Sequence, residues 1–105
     1  GWWGPLLEKA ASKYWGTYES IEGGSISEAY YALTGNPTTY LTHRRTKDLW
    51  KDLSENEKKH YIMSTSNRNG MYNLVSNHVY SVLSVAEYKG EKLVKMRNPW
   101  GSEKY

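Results

Sequence analysis

His78 and Asn98 are the two residues whose types could perform chemistry together. His78 begins the segment "HVYSV", and Asn98 lies twenty residues later in "RNPWG". A neutral imidazole acts as a general base when another group holds one of its ring nitrogens, and an amide oxygen can do so by accepting from an N–H. The pair therefore has the composition of the base and the orienting residue of a nucleophile triad. A single histidine at a strand start is more often structural, and His43 and His60, which have no such partner, are interpreted in that way.

The turn between two predicted strands decides whether the pair can meet. Those strands run roughly from His78 to Tyr88 and from Lys92 to Asn98. A loop of three to five residues would place His78 opposite Asn98 or one position away, on one face of the sheet. Directly opposed side chains have Cβ atoms about 4.5–5.5 Å apart, close enough for the hydrogen bond. A tight two-residue turn at Lys89-Gly90 would instead pair Asn98 with Ser81, and both alternatives remain open from the sequence.

Three helices are predicted before these strands. Pro5 suits the first turn of a helix that fades near Gly16 or by Gly23-Gly24. Ser25 and Glu28 have the spacing of a capping box for a second helix, which Gly35 would end.

The middle of the chain mixes strand and helix signals. "TTYLTH" has strand propensity, and Thr46 could cap a third helix that breaks or restarts at Ser54. That helix would present Leu49, Trp50 and Leu53 on one side. "YIMSTS" is typical of a strand, and "SNRNGMYN" is typical of a polar loop. Helices followed by strands indicate an α+β fold, with N-terminal helices packed on an antiparallel sheet.

The composition narrows the function classes. The 105 residues allow one domain or part of one, and both chain ends are interpreted as cuts in a longer protein. The absence of cysteine excludes disulfides and thiolate metal sites, and is compatible with an intracellular protein. The net charge of +3 comes from dispersed Lys and Arg, which gives little support for a nucleic-acid partner. No apolar run reaches the ~18 residues of a membrane span.

Two motifs resemble those of calpain-type cysteine proteases. "NHVYSV" is similar to the family's Gly-His-Ala-Tyr-Ser-Val, and "MRNPWG" is similar to its Arg-Asn-Pro-Trp-Gly. Upstream, "LLEKAASKYWGTYESIEGGSISEAYYALTG" resembles the family's stretch with Leu-Leu-Glu-Lys-Ala, Gly-x-Tyr-Glu, Gly-Gly and Thr-Gly, whereas residues 39–72 match only loosely. The catalytic cysteine of that family lies in an N-terminal subdomain. The resemblance therefore implies that residues 1–105 are the C-terminal subdomain, the second half of a papain-like catalytic domain.

The resemblance also implies roles for individual residues. His78 would be the base, Asn98 its orienting residue, and Trp100 a shield over the pair. The backbone at Gly24 and Asn77 would hold an extended peptide substrate. Asn77 stands where the family has glycine, which alters the substrate fit beside the base.

The resemblance implies that full-length members of the family bind calcium, but it does not imply a calcium site within this chain. The resemblance places an acidic ligand six residues after the Asn, and that position is Lys104, with Glu103 beside it. A cation needs several hard oxygen ligands and a lysine supplies none, so we expect no metal site or cofactor in these residues.

Three functions are compatible with these observations. The first is one half of a cytoplasmic calpain-like endopeptidase, inactive alone, which acts on protein or peptide substrates once joined to the Cys-bearing subdomain. The second is a scaffold that keeps the fold without catalysis and binds partners, and replacement of the upstream cysteine would favour it. The third is a nucleic-acid or sugar module built on the five Trp and ten Tyr, for which the motifs are missing.

Overall fold

Residues 1–43 and 45–101 are described by a computed structural model. Within these residues the helices are α1 (Trp3–Trp15), α2 (Ile26–Thr34) and α3 (Leu49–Lys58), and the strands are β1 (Met63–Asn67), β2 (His78–Tyr88) and β3 (Glu91–Arg97). The strands form one antiparallel sheet in the order β1-β2-β3. Helices followed by an antiparallel sheet confirm the predicted α+β class. The chain divides into two units, Gly1–Tyr40 and a second that begins at Leu41.

The first unit holds α1 and α2, and glycines end both helices. Gly16 follows α1 with φ 109°, and Gly35 follows α2 in the left-handed conformation, where its N–H bonds the Tyr31 carbonyl at 2.8 Å. Glycine adopts these angles without the steric cost that a Cβ brings. The capping box predicted at Ser25 is wrong, because the Ser25 side chain forms no capping hydrogen bond; its carbonyl accepts from the Ala29 N–H instead.

The second unit begins with α3, whose start differs from the prediction. Asp48 rather than Thr46 is the N-cap, and its carboxylate accepts from the Lys51 N–H at 3.0 Å. The helix continues through Ser54 without a break, so the break predicted there is wrong. The Ser54 hydroxyl donates to the Trp50 carbonyl one turn back at 2.8 Å and does not cap a new helix. The strand predicted from "TTYLTH" is also wrong, as residues 38–43 contain no strand.

Helix α3 covers one face of the sheet. Leu49, Trp50 and Leu53 are half-buried, and α3 packs against β2. The Lys92 ammonium lies 5.7 Å from the centre of the Trp50 ring, which joins β3 to the same helix. Tyr80 of β2 is 6% exposed and is the single buried apolar side chain among the described residues. This face of β2 is therefore the core of the second unit.

A two-residue turn connects β2 and β3. Tyr88 pairs with Glu91, and the intervening Lys89 and Gly90 both have positive φ, 49° and 82°, as a type I′ turn requires. The prediction of a three- to five-residue loop is thus wrong, and the alternative of a tight two-residue turn is correct. Continued without interruption, this register would place Asn98 opposite Ser81, on the face away from His78.

A β-bulge changes that outcome. Ser84 pairs with Lys95 but Val82 pairs with Met96, which leaves Leu83 as an extra residue in β2. Beyond the bulge Ser81 pairs with Arg97, so Asn98, the next residue, comes level with Tyr80. Side chains alternate along a strand, and a shift of one residue moves the whole set to the other face. The bulge therefore returns Asn98 to the face of Tyr80 and His78.

Two single-residue deletions test this register. Deletion of Leu83 should make the β2–β3 ladder regular and keep Asn98 level with Tyr80, with a small loss of stability because Leu83 is 50% exposed. With the bulge at Leu83 kept, deletion of exposed Lys95, the matched control in β3, should bring Asn98 level with Ser81 on the opposite face. Interstrand nuclear Overhauser effects from Asn98 distinguish the two registers. The assigned register is refuted if the Leu83 deletion separates Asn98 from Tyr80. It is also refuted if Asn98 stays level with Tyr80 after the Lys95 deletion.

Candidate active site

His78 and Asn98 meet at the end of the sheet opposite the turn. His78 is the first residue of β2, and Asn98 directly follows β3. Asn98 is level with Tyr80, two residues from His78, so the expectation that the pair would be opposed or one position apart is wrong. Diagonal neighbours of this kind lie about 7–8 Å apart at the backbone, within reach of an aromatic side chain. The imidazole spans that separation, and Nε2 lies 2.8 Å from Asn98 Oδ1.

The backbone of Trp100 identifies which His78 nitrogen carries the proton. The Trp100 N–H donates to Asn98 Oδ1 at 3.1 Å, so the atom that faces both partners must be the acceptor oxygen of the amide. His78 Nε2 must then donate to that oxygen, because two acceptors cannot bond each other. A neutral imidazole with its proton on Nε2 has its lone pair on Nδ1. The hydrogen bond to Asn98 uses Nε2, so in this tautomer Nδ1 is the nitrogen that can accept a proton.

Two aromatic rings contact the imidazole. The Tyr80 ring meets it edge to face, with centroids 5.0 Å apart and planes at 89°. The Trp100 ring is tilted by 48° with its centroid at 4.5 Å. These distances are those of favourable aromatic pairs and limit rotation of the imidazole. Trp100 is itself 54% exposed. Its shielding role in catalysis stays a prediction.

Asn67 lies on the other side of His78. It is the last residue of β1 and pairs directly with His78 in the ladder. Its Oδ1 accepts from the Asn69 N–H at 3.1 Å, whereas its buried Nδ2 has no hydrogen-bond partner among the described residues. The sequence reading assigned "YIMSTS" to a strand but did not single out Asn67, because its proximity to His78 depends on the register of β1.

The two predicted substrate-binding residues occupy exposed backbone. Asn77 directly precedes His78 and has φ 50°, a left-handed conformation that costs a side chain energy, although Asn tolerates it better than most residues. This conformation gives a physical reason for the glycine that the resemblance led us to expect there. Gly24 lies in the first unit, where a Cβ would meet no atom within 4 Å. Their substrate-binding roles stay predictions.

The acidic side chains of the described residues do not form a cation cluster. Within residues 1–43 and 45–101, no three His, Asp or Glu side chains are grouped to hold a metal ion. The pKa of the exposed Glu19 carboxyl is lowered by a hydrogen bond to its own backbone and by another from Thr17. Glu103 and Lys104, the expected position of a calcium ligand, lie outside the described residues.

Tyr80 is the residue of this site that the sequence reading missed. It occupies the alternate position after His78 in β2 and is therefore on the same face. Its hydroxyl accepts from the Val75 N–H at 2.9 Å. Strand alternation could have placed the ring beside His78, but the sequence carries no signal for the bond to Val75, which requires the intervening segment to fold back.

Comparison with known proteins identifies the family to which this sequence is similar. A profile described as calpain family cysteine protease matches residues 1–105. Calpain-1 catalytic subunit of Mus musculus is 34% identical over 94% of the chain, and Calpain-14 of Homo sapiens is 33% identical over 94%. Calpain-type cysteine protease ADL1 of Oryza sativa is 32% identical over 96%.

The match covers a small share of each relative. The chain spans 16% of the length of the two calpains and 5% of the rice protein. None of the described helices has the length and apolar character to cross a membrane. With the profile matched along the whole sequence and identities above 30%, the resemblance noted in the sequence is confirmed: the chain belongs to the calpain family of cysteine proteases.

Proposed function

We propose that this chain supplies the histidine base and its orienting asparagine to a cytoplasmic calpain-like cysteine endopeptidase. The observation that carries the proposal is the assignment of the His78 proton to Nε2 by Asn98 and Trp100. That assignment leaves Nδ1 as the basic nitrogen. A thiol nucleophile needs such a base beside it to take its proton. The thiol itself would come from an N-terminal subdomain of the same protein, because this chain has no cysteine.

The proton transfers follow from that geometry. Nδ1 would take the proton of the cysteine thiol, and the resulting thiolate would attack the carbonyl carbon of the scissile peptide bond. The imidazolium Nδ1–H would then protonate the leaving amine as the C–N bond breaks, which leaves an acyl-enzyme. Nδ1 would next accept a proton from water, whose oxygen attacks the thioester and releases the acid and the thiol. Asn98 would hold the ring through Nε2 in every step, and Trp100 would exclude competing water.

The substrate would bind as an extended peptide. Asn77 adjoins His78, and its left-handed backbone is exposed, so backbone groups at this position can pair with a substrate strand. The resemblance assigns the same role to the backbone of Gly24, whose missing side chain permits a close approach. Protein or peptide chains are therefore the proposed substrates.

The 105-residue chain alone should hydrolyse no peptide, because it contains no thiol to attack the carbonyl. A fluorogenic peptide assay with and without calcium measures this. The matched assay uses the full-length protein with its cysteine-bearing subdomain, for which we expect turnover. Thiol-protease-like turnover by the chain alone would contradict the assigned roles, and a full-length protein whose cysteine is replaced would instead be a scaffold.

Substitution Asn98→Ala in the full-length protein should lower kcat by about tenfold to a hundredfold, less than the roughly 10²–10⁴-fold that general acid–base catalysis contributes, because the imidazole itself remains. The imidazole would lose the acceptor that fixes its tautomer, while the sheet would remain. Asn98→Asp is the matched control, because a carboxylate also accepts from Nε2 and should retain more activity. Steady-state kinetics with circular dichroism as the folding check measures both variants. A kcat for Asn98→Ala within twofold of the parent would refute the orienting role.

Calcium should bind the 105-residue chain no more tightly than about millimolar, the range of weak modules. Lys104 occupies the position where an acidic ligand is expected, and an ammonium group offers no oxygen. Isothermal titration calorimetry measures the affinity. Tight binding would show that the site lies elsewhere, and the variants Glu19→Gln and Glu22→Gln would then test the acidic "YESIEGG" loop.

A further inference from the structure

Tyr80 contacts two parts of the candidate site through different atoms. Its hydroxyl accepts from the Val75 N–H at 2.9 Å, and its ring meets the His78 imidazole edge to face. A phenylalanine would fill the same space, so burial alone does not explain the hydroxyl. The hydroxyl bonds a backbone group five residues earlier, in the segment that leads into β2.

The segment from Arg68 to Asn77 has unusual backbone angles. Gly70, Tyr72, Asn73 and Asn77 all have positive φ, between 50° and 61°. Each such residue other than glycine costs energy that neighbouring contacts must offset. The segment also folds back on itself, because a Cβ on Gly70 would lie 3.4 Å from the Ser76 Cβ.

Few hydrogen bonds hold this segment in place. Within it, the Asn69 N–H bonds the Asn67 side chain and the Leu74 N–H bonds the Met71 carbonyl. Among the hydrogen bonds of the described residues, the bond from Val75 to Tyr80 is the one that ties the segment to β2. Val75 is two residues before Asn77, so this bond anchors the chain close to Asn77.

We propose that Tyr80 is a positioning residue with two separable actions, a proposal that rests on the proposed function. Its hydroxyl fixes the Val75–Asn77 backbone that would bind the substrate. Its ring restrains the imidazole of His78, which Asn98 holds from the Nε2 side. Loss of the hydroxyl should therefore weaken substrate binding, whereas loss of the ring should slow proton transfer.

Two substitutions in the full-length protein separate these actions. Tyr80→Phe keeps the ring and removes the hydroxyl, so we expect KM to rise about threefold to tenfold, the loss of one hydrogen bond, with kcat within twofold. Tyr80→Leu removes both, and we expect kcat to fall at least tenfold as well. Tyr88→Phe and Tyr88→Leu are the matched controls, because Tyr88 is an exposed tyrosine at the far end of the same strand; both should leave kcat and KM unchanged.

Hydrogen exchange supplies a readout that does not depend on activity. In Tyr80→Phe the Val75 amide should exchange about threefold to tenfold faster than in the parent, and in Tyr88→Phe it should not change. The proposal is overturned if Tyr80→Phe leaves both KM and Val75 exchange at the parent values, or if it lowers kcat as far as Tyr80→Leu does. Should the parent protein show no peptidase activity, the proposed function fails, and the exchange rates still decide whether the hydroxyl holds the segment.

Discussion

The register between β2 and β3 is the constraint on which the candidate site depends. The turn at Lys89 and Gly90 sets the pairing at one end of the hairpin, and the bulge at Leu83 shifts it by one residue before the strands reach His78. Because side chains alternate across a strand, that shift decides whether Asn98 lies on the side of His78 or on the opposite side. A short turn gives a rigid hairpin, and the bulge makes this turn compatible with a polar pair on the covered face. Because β2 has one residue more than β3 between the turn and Asn98, the tight turn brings Asn98 to this face only when the bulge absorbs Leu83.

At the end of the sheet opposite the turn, the Asn98 side chain forms hydrogen bonds both with a backbone group and with another side chain. Trp100 lies just beyond β3, where its N–H has no strand partner, and the Asn98 amide oxygen accepts from it. The same oxygen accepts from His78 Nε2. An amide oxygen has two lone pairs, so it can serve both donors. Consequently the interaction that completes the backbone after β3 is also the one that selects the tautomer of His78, and a change in either bond would disturb the other.

Much of the fold followed from local signals, and the errors have physical causes. Glycine at Gly35, the alternation in His78–Tyr88 and the apolar side of α3 were sufficient to predict those elements, because each signal acts within a few residues. The caps at Ser25 and Thr46 were wrong because several polar residues near a helix start compete, and the local backbone decides which one bonds; Asp48 is the one that does so for α3. The site was predicted in its two residues but not in its register. A bulge leaves no distinct mark on the sequence, and the relation between His78 and Asn98 depends on it.

The hydrogen bond of Tyr80, like that of Asn98, joins a side chain of the candidate site to a backbone N–H that lies outside a strand. Val75, like Trp100, lies just outside a strand, and its N–H is satisfied by a side chain of the site rather than by the ladder. The Val75 N–H is part-buried, and a buried backbone donor without a partner costs about 1–3 kcal/mol, so the Tyr80 hydroxyl stabilises the fold as well as the position of this segment. The two bonds lie on either side of His78, one on the chain that enters β2 and one on the chain that leaves β3. Both chain segments are therefore held at the imidazole by side chains that also contact it, and the position of the His78 ring is set by the same interactions that close this end of the sheet.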